Sequence, residues 1–390
     1  MSLNSSLLTD SEVRSITLDV EHKTRACGYP WDCRGVTTKA AAVDAFSSEF
    51  RSCPYHFLSG TLKDEIRPVG KDARLFRMQS LHDFEDGQQM YHNQNEYLAS
   101  RLFTSPIFVK FQTPGTDLSI LYENLARFSD DCYDSDANAW DANFPLFIAE
   151  IIAFWRLQYL PVEIAKRHRD YYRNMYNGYT IVGGNVVHLV GQSSGHLNTT
   201  IDNSLGNIIA MSYVAWCHGL SVNSFVREIL FFVCGDDLIW ANRGSFTALE
   251  VGKRYAELGI YLEFSSLEPQ NVLKCTFAGT IPVQRDRIRY HGRLEKLRAS
   301  MGFKKRKHTV RDVIAKMASL CMLSYYGPDY LTLKEITMSY LASRAAVEPA
   351  LLSDGAIASY VRCMSPAFLD RLYNSWESSF SLPIPASLRE

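Results

Sequence analysis

The chain has 390 residues, 46% hydrophobic and 21% charged, an ordinary balance for a folded protein with a large core. Its 41 Lys and Arg against 42 Asp and Glu leave a net charge of −1, so total charge points to no polyanionic partner. The N-terminus lacks the basic start and apolar stretch of a secretory signal. The longest apolar run, LFIAEIIAFW at 146–155, is too short to span a bilayer, and nine scattered cysteines fit reduced thiols better than a disulfide framework.

Residues 1–125 mix short segments with Gly and Pro punctuation, as in Gly28-Tyr29-Pro30-Trp31, and carry a basic series at Lys63, Arg67, Lys71, Arg74 and Arg77. Carboxylates gather next, at Asp130, Asp131, Asp134, Asp136 and Asp141. A strand is predicted to run up to Asp136, followed by a helix over 143–160 with Pro145 in its first turn. The aromatic stripe Phe144, Phe147, Phe154 and Trp155 reads as the core side of that helix. A Ser/Gly-rich loop at 191–198 leads into another helix. The apolar run ILFFVC at 229–234 and the segment 238–241 read as two strands of a hairpin, with Gly235-Asp236-Asp237 at its tip. A helix is predicted over 246–258, ended by Gly259. Beyond 283 the pattern is mainly helical, 311–323 being an example. The stretch 285–307 holds ten Lys or Arg against two acids. Alternating strands and helices followed by a helical tail predict an α+β centre with a helical C-terminal part.

A Gly-Asp-Asp tripeptide alone also suits any tight surface turn. Between apolar strands it is more specific, because two adjacent carboxylates repel unless cations neutralise them, and Mg²⁺ takes such hard oxygen ligands. A second source of carboxylate is Asp136-Ala-Asn-Ala-Trp-Asp141, one hundred residues upstream. Asp131 and Asp136 have the same spacing; Trp140 and the apolar helix that follows favour Asp136 with Asp141, and the alternative for Asp141 is a helix cap. In the 191–203 segment, small residues would let backbone N–H groups approach a phosphate or base, and Thr199 and Asn203, four apart, share one helix face. Cys27, Cys33, Cys53 and His56 match no zinc-knuckle spacing.

Together these motifs resemble RNA-dependent RNA polymerases of positive-strand RNA viruses in the picornavirus-like supergroup, most of all potyvirus and astrovirus enzymes. Motif A is matched by Asp136 and Asp141, motif B by Ser194, Gly195, Thr199 and Asn203, and motif C by FFVCGDDLIWA. Lys63-Asp-Glu-Ile-Arg67 with Lys71-Asp-Ala-Arg74 looks like motif F, Gly28-Tyr29-Pro30 like motif G, and Phe277-Ala-Gly279 like motif E. The resemblance implies a right-hand α+β polymerase: fingers at 1–125, a palm at 126–282 with an RRM-like antiparallel sheet packed on helices and some fingers residues between motifs A and B, and a helical thumb at 283–390.

It further implies nucleotidyl transfer of NTPs onto an RNA 3′-OH, with Asp136, Asp236 and Asp237 holding two Mg²⁺ ions and Mn²⁺ able to substitute. Asp141 and Asn203 would recognise the ribose. Ser194, Gly195 and Thr199 would position template and nucleotide, while Lys63, Arg67, Lys71 and Arg74 would hold the triphosphate. Gly28, Tyr29 and Pro30 would line the template path, and Lys274 is a candidate general acid. The implied partners are single-stranded RNA template, product duplex, NTPs and other viral replication proteins, in replication complexes attached to membranes of the host cytoplasm. The rival readings are a reverse transcriptase and a non-catalytic RNA-binding protein on a degenerate palm.

Overall fold

The computed structural model describes residues 6–19, 22–63, 73–244, 246–293 and 309–374. Arg67, Lys71 and most of the basic 285–307 stretch lie outside the described residues. The N-terminal elements are α1 (Asp10–Thr17), α2 (Lys39–Phe46), β1 (Leu58–Leu62), β2 (Leu75–Met78), α3 (Leu81–Ala99) and α4 (Asp117–Phe128). The middle of the chain holds β3 (Cys132–Ala137), α5 (Trp140–Asn143), α6 (Leu146–Leu157), α7 (Ala165–Tyr176), β4 (Asn177–Val182), β5 (Asn185–Val190) and α8 (Thr199–Cys217). Then come α9 (Val222–Glu228), β6 (Ile229–Cys234), β7 (Asp237–Asn242), α10 (Ala248–Glu257), β8 (Leu262–Phe264), β9 (Thr280–Gln284) and β10 (Ile288–Gly292). Four helices close the described chain: α11 (Val310–Leu323), α12 (Tyr330–Ala345), α13 (Gly355–Cys363) and α14 (Pro366–Asn374).

The central sheet is antiparallel throughout, in the order β6-β7-β3-β8. Its strands alternate between two cores, as the period of two requires. Tyr133, Phe231, Val233, Leu238 and Trp240 join the core under α6, α8 and α10. Cys132, Phe232, Ile239 and Ala241 join the core of α4, where Leu118, Leu121, Tyr122 and Leu125 meet them. A sheet covered on both faces explains why 229–234 is apolar without interruption, whereas a half-solvated strand would alternate. Each large side chain so buried contributes about 1.5–3 kcal/mol.

A second sheet, in the order β2-β1-β4-β5, joins the 58–78 segment to the 177–190 hairpin, with β1 and β4 parallel. The hairpin β9–β10 packs on α4, and Tyr290 of β10 meets Tyr373 of α14. The last four helices share a core around Ile314, Cys321, Leu333 and Leu369. Among the described residues no single helix is long and apolar enough to cross a membrane.

The predicted strands at 229–234 and 238–241 and helices at 246–258 and 311–323 are present, with ends within two residues. Two expectations for the 143–160 helix need correction. Pro145 is the N-cap of α6 and not part of its first turn. The aromatic stripe is not all core: Phe144 is buried and Trp155 half-buried, but Phe147 and Phe154 are 44% and 68% exposed. The buried face carries Ile148, Ala149, Ile152 and Arg156. Because α6 is apolar nearly all round, its periodicity left the inward side undetermined.

Candidate active site

The Gly235-Asp236 turn links β6 to β7, whose closing pair is Cys234 with Asp237. Gly235 has a φ of 66°, a left-handed conformation that Gly adopts without strain. The β3–β7 ladder ends on the pair Ser135 with Leu238, so Asp136 and Asp237 are the next residues beyond that end of it. Acids from two distant parts of the sequence therefore meet at one end of the central sheet. Glu263 of β8 stands opposite Asp136 on the other side, a further carboxylate that the motif spacing did not point to.

Helix α8 holds the turn by its backbone. Ser204 Oγ accepts from Gly235 N–H at 2.9 Å, and Asn207 Nδ2 donates to the Gly235 carbonyl at 2.8 Å. The Tyr255 hydroxyl from α10 lies 3.3 Å from Asn207 Oδ1. Ser204 and Asn207 were missed from sequence, although with Asp202 and Asn203 they make four buried polar residues in the first half of one helix, a concentration of polar groups that could have pointed to them.

Asp141 does not cap a helix; it lies within the short α5, whose N-cap is Ala139 at a φ of 48°. Its carboxylate is 3.6 Å from the Arg74 guanidinium. Burial raises the Asp141 pKa, opposed by Arg74, a hydrogen bond from Ser194, Arg77 and Lys63. Burial likewise raises Asp236, and the Asp141 charge adds to it while Arg74 and Lys63 oppose. Asp141, Asp236, Arg74 and Lys63 thus share one electrostatic environment. Lys63 and Arg74 flank the segment that carries Arg67 and Lys71 and are joined by a 2.8 Å hydrogen bond from Lys63 N–H to the Arg74 carbonyl.

In the 191–198 loop the glycines serve close contacts within the protein. A Cβ on Gly195 would lie 2.7 Å from the Arg77 carbonyl oxygen and 3.0 Å from Met78 Cα. Its N–H donates to that same Arg77 carbonyl at 2.8 Å. Gly191 has a φ of 110°, and a Cβ there would sit 2.5 Å from the Asp141 carbonyl oxygen, which accepts from Gln192 N–H at 2.8 Å. Arg77 is buried and donates to the Leu189 and Gln192 carbonyls. The loop is thereby fastened to β2 on one side and to α5 on the other.

Thr199 and Asn203 both lie in the first turns of α8, with different surroundings. The Thr199 hydroxyl is turned back on the loop, 2.8 Å from the His196 carbonyl and 3.1 Å from that of Ser193. Asn203 is buried, and its Oδ1 has no protein partner. Gly28 is at a φ of 71° with its backbone against Gln79 and Ser80; Tyr29 N–H donates to Ser59 Oγ, and its ring meets Tyr55 and Phe57 edge-on. Lys274 is exposed, in a 3-10 turn at Val272–Lys274. Asp134, one of the clustered acids, is buried and accepts from Ser265, Gln270 and Thr276, so it fastens β3 to the segment before β9.

The donor set at the hairpin tip fits a hard divalent cation: it consists of carboxylate oxygens, and at Asp236 burial and the Asp141 charge disfavour the ionised form unless positive charge is supplied. All nine cysteines are free, and Cys27 Sγ donates to the Val36 carbonyl. His56, His82 and Asp83 gather ligand-type atoms within 4.8 Å of one another. Those atoms are engaged already: Trp31 Nε1–H donates to His82 Nδ1 at 3.2 Å, His56 Nδ1 meets Asp83 at 2.7 Å, and Ser80 donates to Asp83 at 2.8 Å.

A family model described as viral RNA-dependent RNA polymerase matches residues 55–359. The genome polyprotein of Lettuce mosaic virus (strain 0 / isolate French) is 25% identical over 340 residues, covering 82% of this chain and 10% of the polyprotein. That of Tobacco vein mottling virus is 27% identical over 225 residues, covering 53% of this chain and 7% of the polyprotein. The chain thus spans about a tenth or less of the length of these relatives. A solved structure, the Sicinivirus 3Dpol RNA dependent RNA polymerase, superposes with a TM-score of 0.70 at 18% identity, covering 87% of this chain and 76% of that one, so the fold is shared.

Proposed function

The chain belongs to the viral RNA-dependent RNA polymerase family, and from that premise we propose that the end of the central sheet is its nucleotidyl-transfer site, extending an RNA 3′-OH on an RNA template. The observation that carries this reading is the β3–β7 ladder, whose last pair, Ser135 with Leu238, is followed on one strand by Asp136 and preceded on the other by Asp237, next to the Asp236 turn. Asp136 and Asp236, with Asp237 assisting, would hold two Mg²⁺ ions; bound there, the metal supplies charge stabilisation for the phosphoryl transfer. The remaining work is placement, which needs no nucleophilic side chain.

Arg74 and Lys63 lie beside the acids and would receive the triphosphate, together with Arg67 and Lys71. Asn203, with its unpartnered Oδ1, is suited to a hydrogen bond from a sugar hydroxyl, and Asp141 would complete ribose recognition with Ser194. Gly195 and Thr199 shape the loop; Gly28, Tyr29 and Pro30 border the template path. Lys274 remains the candidate proton donor to pyrophosphate. We assign residues 1–125 to fingers, together with the β4–β5 hairpin, residues 126–282 to palm, and 283–390 to thumb. The β9–β10 hairpin straddles the last boundary. Host-cell cytoplasm and association with other viral replication proteins follow from the reading.

The test is the ratio of kcat/KM for NTP and dNTP incorporation on an RNA template. A ribose-reading site favours NTP strongly and loses that preference in Asn203→Ala. A strong dNTP preference would instead identify a reverse transcriptase, and no metal-dependent incorporation by folded protein would identify a non-catalytic RNA-binding palm.

A further inference from the structure

Beneath the 191–203 segment lies an ion pair between Arg156 of α6 and Asp202 of α8, both side chains 0% exposed. Burying two charges costs several kcal/mol each, of the order expected for ions leaving water, and is tolerated only when every polar atom is engaged. Here they are. Arg156 Nε and Nη2 donate to Asp202 Oδ1 at 3.0 and 2.7 Å, Nη1 to Gln94 at 3.1 Å, and Nη2 also to Asn95 at 2.9 Å. Asp202 Oδ2 accepts from the Tyr172 and Tyr176 hydroxyls, each at 2.9 Å. The node ties α3, α6 and α7 to the first turn of α8.

Asp202 immediately precedes Asn203. Successive helical residues project about 100° apart, so fixing the direction of one sets the azimuth of the next. An apolar residue at 202 would bury well, but hydrophobic burial is non-directional, whereas a carboxylate holding three donor groups fixes rotation about the helix axis. We infer that Asp202, held by Arg156, Tyr172 and Tyr176, is a positioning residue for sugar selection: it sets the rotation of α8 and thereby where the Asn203 amide meets the ribose. The inference rests on the ribose-reading role given to Asn203. It is separable from that role because no member of the node needs to touch the nucleotide.

The experiment measures kcat/KM for NTP and dNTP in wild type, Tyr172→Phe, Tyr91→Phe, Asn203→Ala and the Tyr172→Phe/Asn203→Ala double variant, each checked for a cooperative unfolding transition. The Tyr172 hydroxyl reaches Asp202, whereas the Tyr91 hydroxyl bonds His168 in the same core and serves as the control for mere loosening. Tyr172→Phe is expected to lower the NTP/dNTP ratio by about 3- to 10-fold, through KM for NTP, with no further loss in the Asn203→Ala background. Tyr91→Phe is expected to leave the ratio unchanged. An unchanged ratio in folded Tyr172→Phe, equal losses in both tyrosine variants, or a full Tyr172→Phe effect without Asn203 would overturn the inference alone. No discrimination by wild type, or none lost in Asn203→Ala, would overturn the ribose reading beneath it.

Discussion

Gly195 illustrates how a motif residue can be required for a reason other than the one its composition suggests. The contact it makes is with backbone, the Arg77 carbonyl and Met78 Cα, and backbone in a paired strand cannot yield as a side-chain end can. Gly195→Ala is therefore expected to destabilise the fold by about 1–3 kcal/mol, the range of overpacked sites, read as a lowered urea midpoint at unchanged slope. A second expectation concerns pH. The His56 pKa is raised by its hydrogen bond to Asp83. A raised histidine pKa stabilises the fold fully below the unfolded value of about 6.5, and the contribution fades as pH rises through the folded value. Wild type should thus exceed His56→Gln in Tm by more at pH 5.5 than at pH 8.5. A gap that is equal at both pH values, or larger at the alkaline one, would contradict the pairing.

At the scale of elements, α8 does three things along one rod. Its first two turns carry the Asp202 node and Asn203, the residues Ser204 and Asn207 just beyond these clamp Gly235, and its length packs under the central sheet. The candidate acids could be picked out in sequence because each group sits in a short motif of its own and the Gly235-Asp236-Asp237 turn is flanked by strongly apolar strands. The clamp and the node were not, since Asp202 finds Arg156 forty-six residues away and Ser204 finds Gly235 thirty-one away, and helical periodicity names no partner. The same limit misplaced the α6 stripe. Its orientation can be checked by two substitutions: Ile152→Ala should cost about 2–5 kcal/mol, as a buried truncation does, whereas Phe154→Ser should stay within about 0.5 kcal/mol. Comparable losses in chemical denaturation would place Phe154 in a core.

Across the whole molecule, a sheet buried on both faces leaves its strand ends as the place where charged side chains can gather near solvent. The β6–β7 tip and the end of β3 coincide there. The second sheet brings Lys63 and Arg74 to the same side, so positive charge faces the acids across the space assigned to nucleotide. That sheet was not foreseen, because β4 joins β1 across more than a hundred residues. The fold and its chemistry make one claim in common: synthesis depends on carboxylates at this strand end. Template-directed primer extension on RNA with Mg²⁺, comparing wild type with Asp236→Ala at matched folding, tests it most directly. The account expects extension by wild type, abolished by chelation, and a loss of at least about a thousandfold in the variant; equal extension by both proteins would contradict it.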